Sequence, residues 1–403
     1  MFFYRVFINL VFVIFYPILF IMFRNNSFKQ RIKIKSHVLD NTIWIHASSV
    51  GEVNAVKPLI IKMIESYPKT TFLMTCMTKT GLEAAKKISS KLIIHPFPFD
   101  TVKIMKRAFN TFNPKAILIV ETEIWPNMID IAYKKRIPVI MVNARISDKS
   151  FPKYKLSKLF WKGIFAKISQ VNAQSEIDLE RFLYMGSKHV LNANNLKFSI
   201  NLPKYDQADL RKAWKFLFND FIIVFGSSRP GEEKLIIDIS RKLKYSIPRL
   251  KVIIVPRHLQ RISEIEGLLS REEYCLFSEY YPDRMFTIVD EMGILPQVYA
   301  LSNIAIIGGS FFNFGGHNPI EAAVYEKAVI IGPYHYSCQD LVKKFKANEG
   351  IVISNTENLQ HDIVKLHNDI EERIKYGKNA FEVIEENKNS LENHLENIGS
   401  ILQ

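Results

Sequence analysis

The sequence predicts an α/β protein of two Rossmann-like, doubly wound domains. Three observations predict it. The chain has 403 residues, and at roughly 150 residues per domain that is two or three domains. Short runs rich in Val, Ile and Leu alternate with amphipathic segments of helical period, the pattern of a parallel sheet covered on both faces. The alternation weakens near Asn201–Ala208, a polar stretch that reads as a linker, and then restarts.

In the first half the expected strands are Thr42–His46, Thr71–Cys76, Lys115–Val120, Pro138–Val142 and Ile168–Ala173. Helical patterns such as Val53–Ser66 and Thr80–Ile88 lie between them. The second half offers Phe221–Phe225, Lys251–Val255, Phe286–Val289, Ile304–Ile307 and Ala328–Gly332. These runs set the expected domains at 24–205 and 206–385, with a C-terminal helix over 386–403 that carries no evident chemistry. Two such domains are expected to face each other across a cleft, since open α/β sheets bind ligands outside the carboxyl ends of their strands.

Residues 1–23 are almost continuously apolar, interrupted by Arg5 and Asn9. That length suffices for a helix across a hydrocarbon core. No small-residue cleavage site precedes Arg24, which argues against a removed signal peptide. The expectation is an uncleaved membrane anchor, with an amphipathic helix lying in the interface as the alternative. Arg24, Lys29, Arg31, Lys33 and Lys35 precede the first acid, Asp40. The positive-inside rule then puts the body on the cytoplasmic side of the membrane, where these cations attract anionic lipid.

Lys and Arg number 54 against 40 Asp and Glu, a net charge of +14. The excess favours a polyanionic partner: nucleic acid, anionic lipid or a phosphorylated substrate. Without a zinc-knuckle, helix-turn-helix or RNA-stacking signature, nucleic acid is set aside. Cys76, Cys275 and Cys338 are scattered, with no CxxC spacing, so neither a disulfide framework nor a structural zinc site is expected. No DxD-like cluster ends a strand, and no metal is expected.

The chemistry sits in the turns. The first strand runs into His46-Ala47-Ser48-Ser49-Val50-Gly51-Glu52. A strand, a loop of small residues and a helix N-terminus together suit an anion. Ser49 and Gly51 are candidate contacts, and Glu52 is either functional or a first-turn acid complementing the helix dipole. Glu121-Thr122-Glu123-Ile124-Trp125-Pro126-Asn127 ends another buried strand. Carboxylates there are costly unless paired, and either they act chemically or they cap a helix begun at Pro126. Arg145, after the strand Pro138–Val142, either binds an anion or pairs with one of these acids. In the second half, Phe225-Gly226-Ser227-Ser228-Arg229-Pro230-Gly231-Glu232-Glu233 repeats the strand-loop-helix form, and Val255-Pro256-Arg257-His258 ends the next strand. Gly308-Gly309-Ser310 and Gly315-Gly316-His317-Asn318-Pro319-Ile320-Glu321 follow another. There Gly309 is expected to expose backbone N–H groups to a phosphate, Asn318 to cap, and Glu321 to accept from a ribose, with plain turn and capping chemistry as the alternative.

Taken in order, these segments, with Asn195-Leu196-Lys197-Phe198, resemble the Kdo (3-deoxy-D-manno-octulosonic acid) transferases. The resemblance implies a GT-B glycosyltransferase that moves Kdo from CMP-Kdo to a phosphorylated lipid A precursor with inversion, in lipopolysaccharide biosynthesis, without cofactor or metal. By position it implies that Glu52 is the catalytic base and Glu121 a second essential acid. Arg257, Asn318, Glu321, Ser227, Gly293 and the glycine loops are implied as the CMP site. Two segments depart from the family pattern: Gly293-Ile294-Leu295, where Gly-Glu-Leu is frequent, and Ser228-Arg229, where a Thr-His pair is. Two other readings remain at this point. One is a different GT-B enzyme acting on a lipid acceptor. The other is a tethered two-domain solute-binding protein, which the cations after the apolar segment disfavour.

Overall fold

β-Branched residues packed on both faces of a pleated ribbon favour a buried parallel strand, and the computed structural model contains two seven-stranded parallel sheets built from them. It describes residues 1–22, 26–32, 34, 38–200 and 202–402, without the side chains of 15–28. Asn201 of the expected linker, and Arg24, Lys33 and Lys35, lie outside the described residues. Two compact units result, Met1–Ser199 with Asn387–Gln403, and Ile200–Glu386.

The first unit begins with helices α1 (Phe2–Met22) and α2 (Asn26–Ile32). Its strands are β1 (Thr42–His46), β2 (Thr71–Cys76), β3 (Leu92–Pro96), β4 (Pro114–Val120), β5 (Val139–Ala144), β6 (Gln170–Ala173) and β7 (Val190–Asn192). The crossovers are α3 (Val50–Ser66), α4 (Lys79–Lys86), α5 (Val102–Phe112), α6 (Pro126–Lys134), α7 (Phe151–Leu156), α8 (Lys158–Phe165) and α9 (Glu176–Tyr184). The sheet order is β3-β2-β1-β4-β5-β6-β7. Strand order reverses between β1 and β4, whose residues Ile43–His46 and Ala116–Ile119 run side by side. That pair of carboxyl ends is the topological switch point, where such sheets bind ligands. Trp44, Ile117 and Ile119 pack one face of the sheet with α5 and α6. Ile43, Ile45 and Leu118 pack the other with α3.

The second unit carries β8 (Phe221–Ser228), β9 (Leu250–Pro256), β10 (Tyr274–Leu276), β11 (Phe286–Ile288), β12 (Ile304–Ile307), β13 (Ala328–Ile331) and β14 (Val352–Ile353). Its helices are α10 (Gln207–Ala213), α11 (Glu232–Leu243), α12 (Ile262–Glu266), α13 (Leu295–Leu301), α14 (Ile320–Ala323), α15 (Gln339–Ala347), α16 (Leu359–Asn368) and α17 (Ile370–Glu385). The order β10-β11-β9-β8-β12-β13-β14 reverses between β8 and β12. The polar stretch read as a linker is shorter than expected, because Asp206 accepts from the Asp209 N–H and starts α10 at Gln207.

After α17 the chain returns to the first unit as α18 (Ser390–Leu402). Ile398 joins the core on the α3 face of the sheet. His394, fully buried, accepts the Asn143 N–H at 3.0 Å through Nε2, while Nδ1 meets Ser390 O at 2.7 Å.

The expected anchor takes a different form. α1 is helical over Phe2–Met22, yet among the described residues no helix is long and apolar enough to cross a membrane. One side of α1 instead docks on the first unit. Tyr4 Oη donates to Asp100 at 2.8 Å, and Arg5 pairs with buried Asp130 at 2.5 Å and donates to Asn127 at 3.2 Å.

Candidate active site

At the first switch point the loop after β1 folds a carboxylate back on itself. Ser49 caps α3, its Oγ accepting from the Glu52 N–H. Glu52 accepts in return from the Ser48 N–H at 2.7 Å and from Ser49 Oγ at 3.0 Å. This is the reciprocal geometry of a capping box, shifted by one residue. The group is nevertheless not an ordinary first-turn acid. Burial pushes its pKa up to about 7; the Ser48 N–H opposes this, and the charges of Glu121 and Glu123 add to it. Desolvation outweighs the helix dipole at this position. Gly51 is exposed, and a Cβ there would meet only Ser49 Oγ at 3.8 Å. Packing within the protein therefore does not demand glycine at this position.

Glu121 stands at the carboxyl end of β4 with φ +54. For a residue with a full side chain that left-handed backbone is strained, and strain of this kind collects at functional sites. The acids after β4 do not cap α6: Pro126 is its first residue, and Trp125 before it provides no side-chain cap. Glu123 instead lies 3.6 Å from His46 Nε2. His46 is fully buried, and burial holds its pKa below the usual range. Its Nδ1 lies 3.1 Å from Thr75 O, while Nε2 accepts the Trp125 indole N–H at 3.0 Å. The neutral ring, stacked on Phe97 at 3.9 Å, is a wall that orients Trp125 beside the acids.

Arg145 acts on Asp178, whose pKa burial raises while Arg145 opposes the rise. Asn143, also left-handed at φ +52, accepts the Leu196 N–H through Oδ1 at 2.9 Å and so ties the Asn195-Leu196-Lys197 turn to the sheet edge.

The second switch point is cationic. Ser227, near the carboxyl end of β8, has φ +57. Arg229 Nη1 meets His258 Nε2 at 2.9 Å. Arg257 and His258 are exposed at the end of β9. His317 is pushed down to about 4, by burial first and then by Arg257, Arg229 and His258. Its Nε2 and Arg229 Nε are buried without a partner among the described residues. Unsatisfied buried polar atoms are rare and point to a missing ligand or water. Glu321 is raised by burial, opposed by Arg257. The predicted Arg257, Glu321 and Gly309 thus come together, with Gly309 (φ +70) beneath the His317 ring: a Cβ there would stand 3.0 Å from His317 Cδ2. Asn318 accepts from the Ile320 N–H at 3.1 Å, at the start of α14. Gly293 (φ +89) precedes α13 with open space around its would-be Cβ.

One expectation is overturned. The glycine loop does not offer its N–H groups to a phosphate. Gly309, Ser310 and Phe311 donate to the fully buried Glu232 carboxylate at 2.7, 3.0 and 2.9 Å, and Arg229 N–H does so at 2.9 Å. Gly308, Gly316 and His317 donate to backbone carbonyls. The anion nest is filled by the protein's own carboxylate, leaving charge recognition to side chains. Glu232 and His317 both lie inside segments the sequence had singled out, but neither was given a role. The signal for Glu232 was an acid in the first turn of a helix directly after a Pro-Gly turn.

A family profile described as 3-deoxy-D-manno-octulosonic-acid transferase (kdotransferase) matches residues 26–200. A 3-deoxy-D-manno-octulosonic acid transferase of Haemophilus influenzae is 31% identical over 369 residues, covering 88% of this chain and 86% of its own. One from Aquifex aeolicus is 30% identical over 311 residues, with 76% and 80% covered. A bifunctional glycosyltransferase/methyltransferase of Fusobacterium nucleatum is 38% identical over 342 residues, or 81% of this chain, which spans 53% of that longer protein. Among solved structures, a glycosyltransferase from Rickettsia africae has a TM-score of 0.55 at 15% identity over 92% of this chain and all of its own (100%). A UDP-GlcNAc 2-epimerase from Neisseria meningitidis bound to UDP-GlcNAc scores 0.52 at 15% identity over 89% and 100%. These two likenesses concern the fold alone, an α/β fold of the GT-B type.

Proposed function

The chain belongs to the 3-deoxy-D-manno-octulosonic acid transferases and is a glycosyltransferase, and on that footing we propose the donor, the acceptor and the roles of the residues. The donor is CMP-Kdo and the acceptor a phosphorylated, acylated lipid A precursor. The observation that carries the reading is Glu52: a carboxylate at a switch point whose pKa, about 7, suits a general base near neutral pH.

In this reading Glu52 takes the proton of the acceptor hydroxyl as that oxygen attacks the anomeric carbon of Kdo. The bond from that carbon to the phosphate oxygen breaks, and CMP leaves with the electron pair, inverting the centre. Glu121 holds the pKa of Glu52 up by its charge. The phosphate is assigned to Arg257, Arg229 and His317, whose Nε2 has no partner among the described residues, and the ribose to Glu321. Guanidinium groups supply the charge that a metal would otherwise bring, so transfer proceeds without one.

The body works at the cytoplasmic face of the inner membrane. Supporting this, the outward side of α1 bears Phe2, Phe3, Val6, Phe7, Leu10, Val13 and Ile14, all more than half exposed. A contiguous apolar face of this kind suits an interfacial helix pressed into the headgroup boundary. Purified protein incubated with CMP-Kdo and a tetraacylated bisphosphorylated disaccharide should yield a product heavier by one or more Kdo residues. Absence of any such product would overturn the donor and acceptor assignment.

A further inference from the structure

Between the docked side of α1 and the first unit lies a cavity of about 210 Å³. Ile8, Val11 and Phe12 of α1 form one wall, and Phe97, Phe99 and Trp125 another. The space exceeds the ~150 Å³ of an apolar cavity able to take up benzene. Two of its walls belong to the active site: Trp125 donates to His46, and Phe97 stacks on the same ring. The cavity therefore adjoins the carboxylate cluster across those two side chains.

One cation stands in the lining. Arg31, on α2, is half-buried, and burial lowers its pKa. It donates to Met77 O and lies 5.9 Å from the Phe99 ring centroid. Among the described residues no carboxylate pairs with it. A desolvated guanidinium without a counter-ion is costly unless an anion completes it. Its fork suits a phosphate, which it can hold through two parallel hydrogen bonds. The apolar space is continuous with α1, whose other side is the exposed apolar face.

We propose that this cavity is an acyl-chain slot for the lipid acceptor, and that Arg31 binds the acceptor's phosphate at its edge. The inference rests on the lipid-acceptor reading above and adds where the acceptor is held. Seating one chain beneath α1 would bring the sugar headgroup to the Phe97–Trp125 side of the slot, next to Glu52. Membrane docking and acceptor selection would then share one element, α1 lying on the bilayer with its inner side closing the slot.

The test uses 12-bromododecyl phosphate, whose bromine quenches tryptophan, with the full-length protein in dilute detergent. Wild type should show saturable quenching that Trp125→Phe removes. Val11→Trp, which fills the slot, should weaken binding of non-brominated dodecyl phosphate at least tenfold by calorimetry. Arg31→Gln should weaken dodecyl phosphate by a similar factor while leaving dodecanol unchanged, and inorganic phosphate should not compete at millimolar levels. Normal dodecyl phosphate affinity in a folded Val11→Trp protein, checked by its melting temperature, would overturn the slot. If Val11→Trp does not fold, unchanged affinity in Arg31→Gln, or quenching that persists in Trp125→Phe, would overturn it. Loss of Kdo transfer in wild type would instead overturn the function proposed above and leave these binding measurements to decide the slot by themselves.

Discussion

A carboxylate in the first turn of a helix is ordinarily held in its charged form by the free N–H groups around it. At Glu52 the Ser48 N–H supplies that stabilisation, yet burial and two neighbouring acids outweigh it and leave the group near pKa 7. As the proposed base it must be ionised to accept a proton, so kcat should rise as pH rises through about 7. Glu52→Gln should lose that limb and about 10²–10⁴ in turnover, with melting temperature and CMP affinity retained. A folded mutant keeping more than about a tenth of wild-type turnover would make Glu52 a capping residue only. Glu121 sets the sign of a second expectation. Removing its charge favours ionised Glu52, so Glu121→Gln should shift the acidic limb to lower pH. A limb that stays in place would detach Glu121 from the base.

Elements here are fixed by a few buried polar groups. The glycine loop after β12 is held by Glu232, whose carboxylate accepts four backbone N–H groups. Glu232→Ala would leave those donors unpaired at about 1–3 kcal/mol each. It should lower the melting temperature sharply and weaken CMP binding together with it; an unchanged melting temperature would show the loop to be held otherwise. α18 is fixed by His394. Both ring nitrogens are satisfied in the neutral form, and burial pushes its pKa down to about 4. Its unfolded pKa is near 6.5, so the unfolded state binds the proton first as pH falls. Its contribution is present above about 6.5 and lost progressively down to about 4, at up to about 1.4 kcal/mol per pH unit. His394→Gln should lower stability at pH 7 and flatten this acid-side loss in urea melts at pH 5 and 7. An acid-side slope equal to that of wild type would place the titrating group elsewhere.

Across the whole molecule the charge of +14 and the apolar face of α1 suit the same kind of surface in the function proposed above, an anionic membrane. The catalytic charge, in contrast, is assigned to particular guanidinium groups of the second unit, and this separates two chemistries of phosphate stabilisation. Turnover should survive EDTA in full. Loss on chelation, restored by Mg²⁺, would mean that Arg229 and Arg257 assist a metal instead of replacing one.

By itself the sequence determined the repeated α/β plan, the inner strands and the loops at both switch points. Inner strands are apolar on both faces, so β1, β2, β4, β8 and β12 stand out as continuous runs. The four strands it did not show, β3, β7, β10 and β14, are the four sheet edges. An edge strand is partly solvated, as Leu92–Pro96 and Val190–Asn192 are, and needs no such run. Only the tertiary structure decided which polar groups are already spent. It closed the glycine loop on Glu232, left Arg31 without a carboxylate and His317 Nε2 without a partner among the described residues, and returned the last helix to the first unit. It also made half of an apolar segment into a docked helix, because its burial follows Tyr4, Arg5, Ile8, Val11 and Phe12 and not hydropathy. Local sequence records what a residue prefers. Desolvation and hydrogen-bond satisfaction depend on neighbours tens or hundreds of residues away, as Asn143 and His394 are, and those appear only when the chain is folded.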